Sequence, residues 1–85
     1  MTDGESDAVF VGVDVGTGSV RAALFDARGR LLVNRARDIT TRSPRPDFYE
    51  QSSEEIWSAV CHVVRSVVEN VAVDRVKGIG FDATW

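Results

Sequence analysis

Cysteine, proline and histidine are scarce in this sequence: 85 residues contain one cysteine, two prolines and one histidine. A single cysteine excludes an internal disulfide and a metal site built from several cysteines. Basic residues are also few, because ten lysines and arginines face thirteen acidic residues and the formal net charge is −3. Without a basic cluster, the chain lacks the charge pattern of a nucleic-acid-binding protein.

Long apolar runs are absent too. No run reaches the 18 or so residues of a membrane span, and the polar start MTDGESDA lacks the basic and apolar regions of a signal peptide. We therefore expect a cytoplasmic protein with neither a nucleic-acid nor a membrane partner. Residues 1–7 are expected to form a disordered lead-in, and residues 8–85 a single unit near the lower size limit of a folded domain.

Apolar patterns predict an α/β fold with the order β-β-β-α-β. Residues 8–14 are almost continuously apolar and β-branched, which is typical of a central strand covered on both faces. Residues 19–26 alternate in polarity, the turn sequence DARG follows, and residues 30–39 resume a strand. Residues 76–84 predict a fourth strand.

A helix is predicted before that last strand. Residues 40–51 contain two prolines and predict an extended loop. Ser52 and Glu55 then fit a capping box at a helix N-terminus, and apolar residues recur at helical spacing to about Asn70. We expect the valines of this stripe and Trp57 to lie in the core.

The first predicted strand runs into a glycine-rich turn, Gly16-Thr17-Gly18-Ser19. Glycines allow backbone N–H groups to approach a phosphate closely, and the two hydroxyls add donors. An ordinary β-hairpin turn remains an alternative. A dinucleotide-binding motif does not fit, because position 21 is Arg where a third glycine belongs, and no Gly-Lys-Ser/Thr sequence of a P-loop occurs.

An acid precedes the turn and a base follows it. A carboxylate beside a phosphate is favourable only with a cation between them, so Asp14 indicates a Mg²⁺ site shared with the phosphates of a nucleotide. Arg21 carries a planar guanidinium that suits the same phosphates.

The segments VGVDVGTGSVRAALFD, EQSSEEIW and GIGFDAT together resemble the N-terminal part of the FGGY carbohydrate kinases, most closely the ribulokinase-like branch. The resemblance covers about residues 9–84. It implies the RNase H-like mixed sheet of the actin-like ATPase superfamily, and phosphorylation of a pentulose or related polyol by ATP with Mg²⁺. The partners implied are this small-molecule sugar and ATP.

The resemblance also implies roles for particular positions. Asp14 corresponds to the acid near the metal, and the phosphate-binding group comprises Gly16, Thr17, Gly18, Ser19 and Arg21. Asp82, Ala83 and Thr84 fall where such kinases build part of the sugar pocket.

The general base of these kinases is an aspartate far downstream, so no catalytic base is expected within this chain. Since the sequence stops at Trp85, we expect a truncated version of the fold. The alternative to a portion of a kinase is a non-catalytic fragment or a weak nucleotide-binding remnant.

Overall fold

A computed structural model of the chain describes residues 7–39, 42–45, 48–50 and 53–83. The predicted order of three strands, a helix and a strand is confirmed, with two short strands and a 3₁₀ turn added. The elements are β1 (Val9–Val15), β2 (Ser19–Asp26), β3 (Leu31–Asp38), β4 (Arg42–Arg45), β5 (Phe48–Glu50), α1 (Ser53–Val68), a 3₁₀ turn (Val73–Arg75) and β6 (Val76–Ala83). Nearly all of the predicted lead-in lies outside the described residues.

The main sheet has four strands in the order β3-β2-β1-β6. Strands β1, β2 and β3 are antiparallel neighbours because short turns join them, whereas β6 lies parallel to β1. A parallel neighbour requires a long crossover connection, and α1 is part of the chain that leads to β6. The prediction that β1 is central is therefore confirmed.

The hydrophobic core lies between one face of this sheet and α1. Val63 and Val67 of the helix pack against Val9, Val20 and other buried residues of β1 and β2. The described residues place nothing on the opposite face, where Phe10 of β1 is 40% exposed. The prediction that β1 is covered on both faces is thus wrong for this chain, because the one helix covers one side.

Helix α1 is slightly shorter than predicted, ending at Val68 instead of about Asn70. The valine stripe is buried as expected, but the core prediction for Trp57 is wrong, since that residue is 64% exposed. Consecutive helical residues point about 100° apart, so Trp57 turns outward beside Ile56, which packs against the core. Ser52 of the predicted capping box lies outside the described residues.

The segment predicted as a loop contains a two-stranded antiparallel sheet of β4 and β5. Proline restricts the residue before it to extended conformations, and two extended segments joined by a short connection are ready to pair. Extended backbone was expected here, but its pairing was not.

The turn between β2 and β3 is organised by Asp26. Its carboxylate accepts hydrogen bonds from the backbone N–H groups of Arg28 and Arg30, each at 2.9 Å, and pairs with the Arg30 guanidinium at 2.9 Å. Gly29 has φ of +84°, a left-handed conformation that favours glycine. The predicted DARG turn is confirmed.

In the described part of the chain, no helix is long and apolar enough to cross a membrane.

Candidate active site

The sheet face opposite α1 carries the polar residues that the sequence points to. Successive side chains of a strand alternate between faces, so the residues of β1 that are not packed on the helix project to this side. We call it the open face. It includes Phe10, Gly12 and Asp14 of β1 and their direct partners Phe25, Ala23 and Arg21 of β2.

Three charged residues form a row across the open face. Asp14 is directly paired with Arg21 on antiparallel β2 and with Asp82 on parallel β6. Directly paired residues share a face, so the three side chains lie side by side. All three are exposed. The structure therefore brings together two carboxylates and a guanidinium that are up to 68 positions apart in sequence.

The glycine-rich turn directly follows this row. The Gly16 N–H donates to the Ser19 carbonyl at 2.9 Å, which closes the hairpin, and the Ile39 N–H donates to the Gly18 carbonyl at 3.1 Å. Because Ile39 is buried, the second bond fastens the turn to the end of β3.

Neither glycine of the turn adopts a positive φ. A Cβ on Gly18 would meet nothing within 4 Å, and one on Gly16 would approach the Ser19 carbonyl to 3.4 Å. Left-handed backbone, the reason for glycine in the hairpin alternative, is therefore absent here. What Gly18 provides is an exposed stretch of backbone close to Asp14.

Sequence reasoning missed Asp38, an exposed residue at the end of β3. It is directly paired with Ser19, so it borders the turn on the open face. The sequence offered one clue to this position: short hairpins fix the register of three consecutive strands, and that register places Asp38 beside Ser19. The three residues predicted for the sugar site do not share one location. Asp82 lies in the charged row, whereas Ala83 pairs with Val15 and so faces the helix side. Thr84 lies outside the described residues.

Small residues beside the charged row leave a concavity of about 600 Å³. Gly12, Ala23 and Gly80 form its floor, and a Cβ on Gly12 would come within 3.6 Å of the Phe25 ring. The charged row lies at one end of the concavity and Phe25 and Leu31 at the other. A ligand on this surface meets charge at one end and apolar surface at the other.

The carboxylates of the charged row suit a hard divalent cation that also binds the phosphate oxygens of a ligand. Among the described residues no group of three or more His, Cys, Asp or Glu side chains is placed to hold a metal ion. Mg²⁺, however, is usually bound in proteins through one or two carboxylates, with phosphate oxygens and water completing the octahedron. Asp14 and Asp82 are the two carboxylates of the row that could serve in this way.

The sequence pattern of the FGGY family of carbohydrate kinases, N-terminal domain, matches residues 9–84. A D-ribulokinase of Saccharomyces cerevisiae is 53% identical over 77 residues, covering 88% of this chain and 11% of the relative. The chain thus spans about a ninth of that curated relative.

Two solved structures share the fold. A ligand-bound xylulose kinase from Lactobacillus acidophilus superposes with a TM-score of 0.84 at 17% identity, over 91% of this chain and 16% of the other. A glycerol kinase from Plasmodium falciparum, crystallised with ADP, gives a TM-score of 0.71 at 16% identity, over 91% and 16% respectively. The predicted mixed sheet of the actin-like ATPase fold is confirmed.

Proposed function

Because the chain belongs to the FGGY family of carbohydrate kinases, we propose that its open face forms the phosphate-binding wall of an ATP-dependent pentulose kinase. The acceptor is a ribulose-type sugar or a related polyol, and the reaction transfers the terminal phosphoryl group of ATP to a sugar hydroxyl.

One observation carries this proposal: Asp14, Arg21 and Asp82 form a single row directly beside the glycine-rich turn, where a Cβ on Gly18 would meet nothing within 4 Å. Phosphoryl transfer depends chiefly on positioning the reactants and stabilising charge. A phosphate and its cation carry opposite charges, so a row that contains both carboxylates and a guanidinium suits the pair better than a row of one sign. Without the glycine-rich turn beside it, the same charged row would only be a solvated surface.

Each group has a defined task in this proposal. The Ser19 carbonyl already engages the Gly16 N–H, so the Gly18 N–H and the Thr17 and Ser19 hydroxyls hold phosphate oxygens. The Arg21 guanidinium neutralises them from the neighbouring strand. Asp14 and Asp82 would hold Mg²⁺, which when bound neutralises the charge that develops on the phosphates. Only Val15 separates Asp14 from the turn, so the loss of Asp14 is expected to disturb the reacting phosphate most.

The acceptor sugar is assigned to the concavity. Sugar hydroxyls require both donors and acceptors. Asp82 of β6 supplies carboxylate acceptors, and Thr84, two positions further along the sequence, adds a hydroxyl. The D-ribulokinase among the relatives favours a pentulose, and the ADP-containing glycerol kinase favours an adenine nucleotide as donor. A weak nucleotide-binding fragment without kinase activity is the alternative.

A chimera tests the proposal. Residues 9–84 of this chain replace the matching segment of the Saccharomyces cerevisiae D-ribulokinase, and formation of sugar phosphate from ATP and D-ribulose is followed by mass spectrometry. We expect the chimera to be active and to need Mg²⁺. A folded chimera that binds ATP but transfers no phosphate would instead support the non-catalytic alternative.

A further inference from the structure

A second concavity, of about 620 Å³, lies on the helix side of the sheet. We call it the α1–β3 groove. One stripe of α1 forms one wall, and Arg37 of β3 lies on the other side. Its lining residues are Arg37, Ser58, Cys61, His62, Arg65, Ser66 and Glu69.

Two arginines from different elements, Arg37 of β3 and Arg65 of α1, line this groove, and among the residues that the structure describes their guanidinium groups have no partners of their own. Within the described part of the chain, the side chains of Arg37 and Arg65 make neither a hydrogen bond nor an ion pair. Glu69 is the one carboxylate among the lining residues, and it forms no ion pair with Arg65 although the two are one helical turn apart. In a chain with a net charge of −3, this is a local excess of positive charge.

The groove is separate from the proposed active site. Arg37 is directly paired with Val20, which is fully buried in the core beneath α1. Arg21, by contrast, projects from the opposite face of β2. A ligand in the α1–β3 groove therefore does not occupy the phosphate turn, and the two sites are open to independent tests.

We propose that the α1–β3 groove binds a hydroxylated phosphate monoester. Two guanidinium groups with a neighbouring imidazole suit a phosphate dianion, which accepts charge-assisted hydrogen bonds from planar donors. Hydroxyls of Ser58 and Ser66 and the Glu69 carboxylate complement ligand hydroxyls, which both donate and accept. The same carboxylate repels a second phosphate, so a monoester fits better than a polyphosphate.

The single cysteine of the chain is a built-in reporter of this groove. Cys61 lines it and is partly exposed, so a bound ligand should slow alkylation of its thiol. The experiment measures the rate of Cys61 alkylation by iodoacetamide with ribose 5-phosphate, inorganic phosphate, ribose or sulfate at constant ionic strength. We expect saturable protection of several-fold by ribose 5-phosphate, weaker protection by phosphate, and none by ribose or sulfate.

The double variant Arg37→Gln/Arg65→Gln tests the assignment. Loss of a hydrogen bond to a charged group weakens binding roughly tenfold for each arginine, so protection should disappear over the same concentration range. The control Arg28→Gln/Lys77→Gln removes the same charge at two exposed positions away from the groove, and it should retain full protection. Arg21→Gln should also retain it.

Three results would overturn the proposal. Unchanged alkylation with every phosphate compound means that the groove holds no such ligand. Equal protection in the control and the groove variants means that binding is elsewhere or nonspecific. Protection only by an acidic protein, and not by ribose 5-phosphate, would identify the groove as a protein-binding surface instead.

Discussion

Asp14 and Asp82 lie directly opposite one another on the parallel strands β1 and β6, on the sheet face that α1 leaves open. Two like charges this close are unfavourable without a cation. Arg21, paired with Asp14 from the other side, offers one positive charge to the two carboxylates. The arrangement leaves a net negative charge that favours a divalent cation, and with it a phosphate.

The first prediction concerns Asp14. In the ribulokinase chimera, Asp14→Asn should lower kcat on the order of a hundredfold or more, because a group that organises charge in the transition state is worth several kcal/mol. KM for the sugar should change much less. Steady-state kinetics provide the measurement, with Asp74→Asn, an exposed residue of the 3₁₀ turn, as the control. A near-normal kcat for Asp14→Asn would refute the metal role.

The second prediction concerns the 85-residue chain alone. It should bind Mg-ATP weakly and form no sugar phosphate, because the described residues offer one open wall and phosphoryl transfer requires both substrates to be held in line. Binding is measured with a fluorescent ATP analogue, with and without Mg²⁺. Product is sought by mass spectrometry with ribulose and xylulose. Sugar phosphate above a no-protein control, and abolished by Asp14→Asn, would contradict the prediction.

The third prediction separates two glycines. Gly29→Ala should lower the free energy of unfolding by about 1 kcal/mol, because its φ of +84° is strained for any residue with a Cβ. Gly18→Ala should leave stability nearly unchanged, since its φ is not positive and its Cβ would meet nothing within 4 Å. It should nevertheless weaken Mg-ATP binding by covering the backbone. Urea midpoints and nucleotide titrations check both halves, and equal destabilisation by the two substitutions would contradict the first.

The fourth prediction is a pH dependence from Asp26. The backbone N–H of Arg30 is the main group that lowers the pKa of this carboxyl in the folded chain, assisted by the Arg30 side chain and the Arg28 N–H and opposed by partial burial. Since the folded pKa lies below the unfolded value, the stabilisation is complete above about pH 4 and is lost as the pH falls through the folded pKa.

Asp26→Ala should therefore destabilise the chain at pH 7 and have a smaller effect at pH 3. Urea midpoints at the two pH values measure the difference, and NMR titration of the carboxyl carbon reports the pKa directly. The matched control is Asp74→Ala, because the Asp74 side chain makes no hydrogen bond in the described part of the chain. A difference between wild type and Asp26→Ala that stays constant down to pH 3 would show that the charge has no role.

The fifth prediction concerns the thermal stability and aggregation of the isolated chain. Phe10 on the open face is 40% exposed, and Ile79 and Phe81 of β6 are 50% and 59% exposed. Each large apolar side chain left in water forgoes roughly 1.5 to 3 kcal/mol, a large share of a small domain's stability. The chain should therefore bind a hydrophobic dye and melt broadly or aggregate. A sharp cooperative transition from a monomer in dilute buffer would contradict this.

Much of the fold was readable from local pattern. Alternation in residues 19–26, the DARG turn and the helical valine stripe each reflect a periodicity that lies within a few neighbouring residues. The glycine-rich turn and its adjoining acid pointed to phosphate and metal for the same reason, since their chemistry depends on short spacing. Trp57 was misassigned because an aromatic residue beside an apolar stripe looks like core, and only the angular position on the packed helix shows that it faces outward.

The arrangement of the site depended on strand pairing. That Asp82 lies beside Asp14, that Asp38 borders the turn and that Ala83 faces the helix side all follow from registers between distant segments. A shift of one residue would move every side chain of a strand to the other face. The sequence contains the composition of the candidate site, whereas its geometry arises when α1 buries one sheet face and so selects which residues remain on the other.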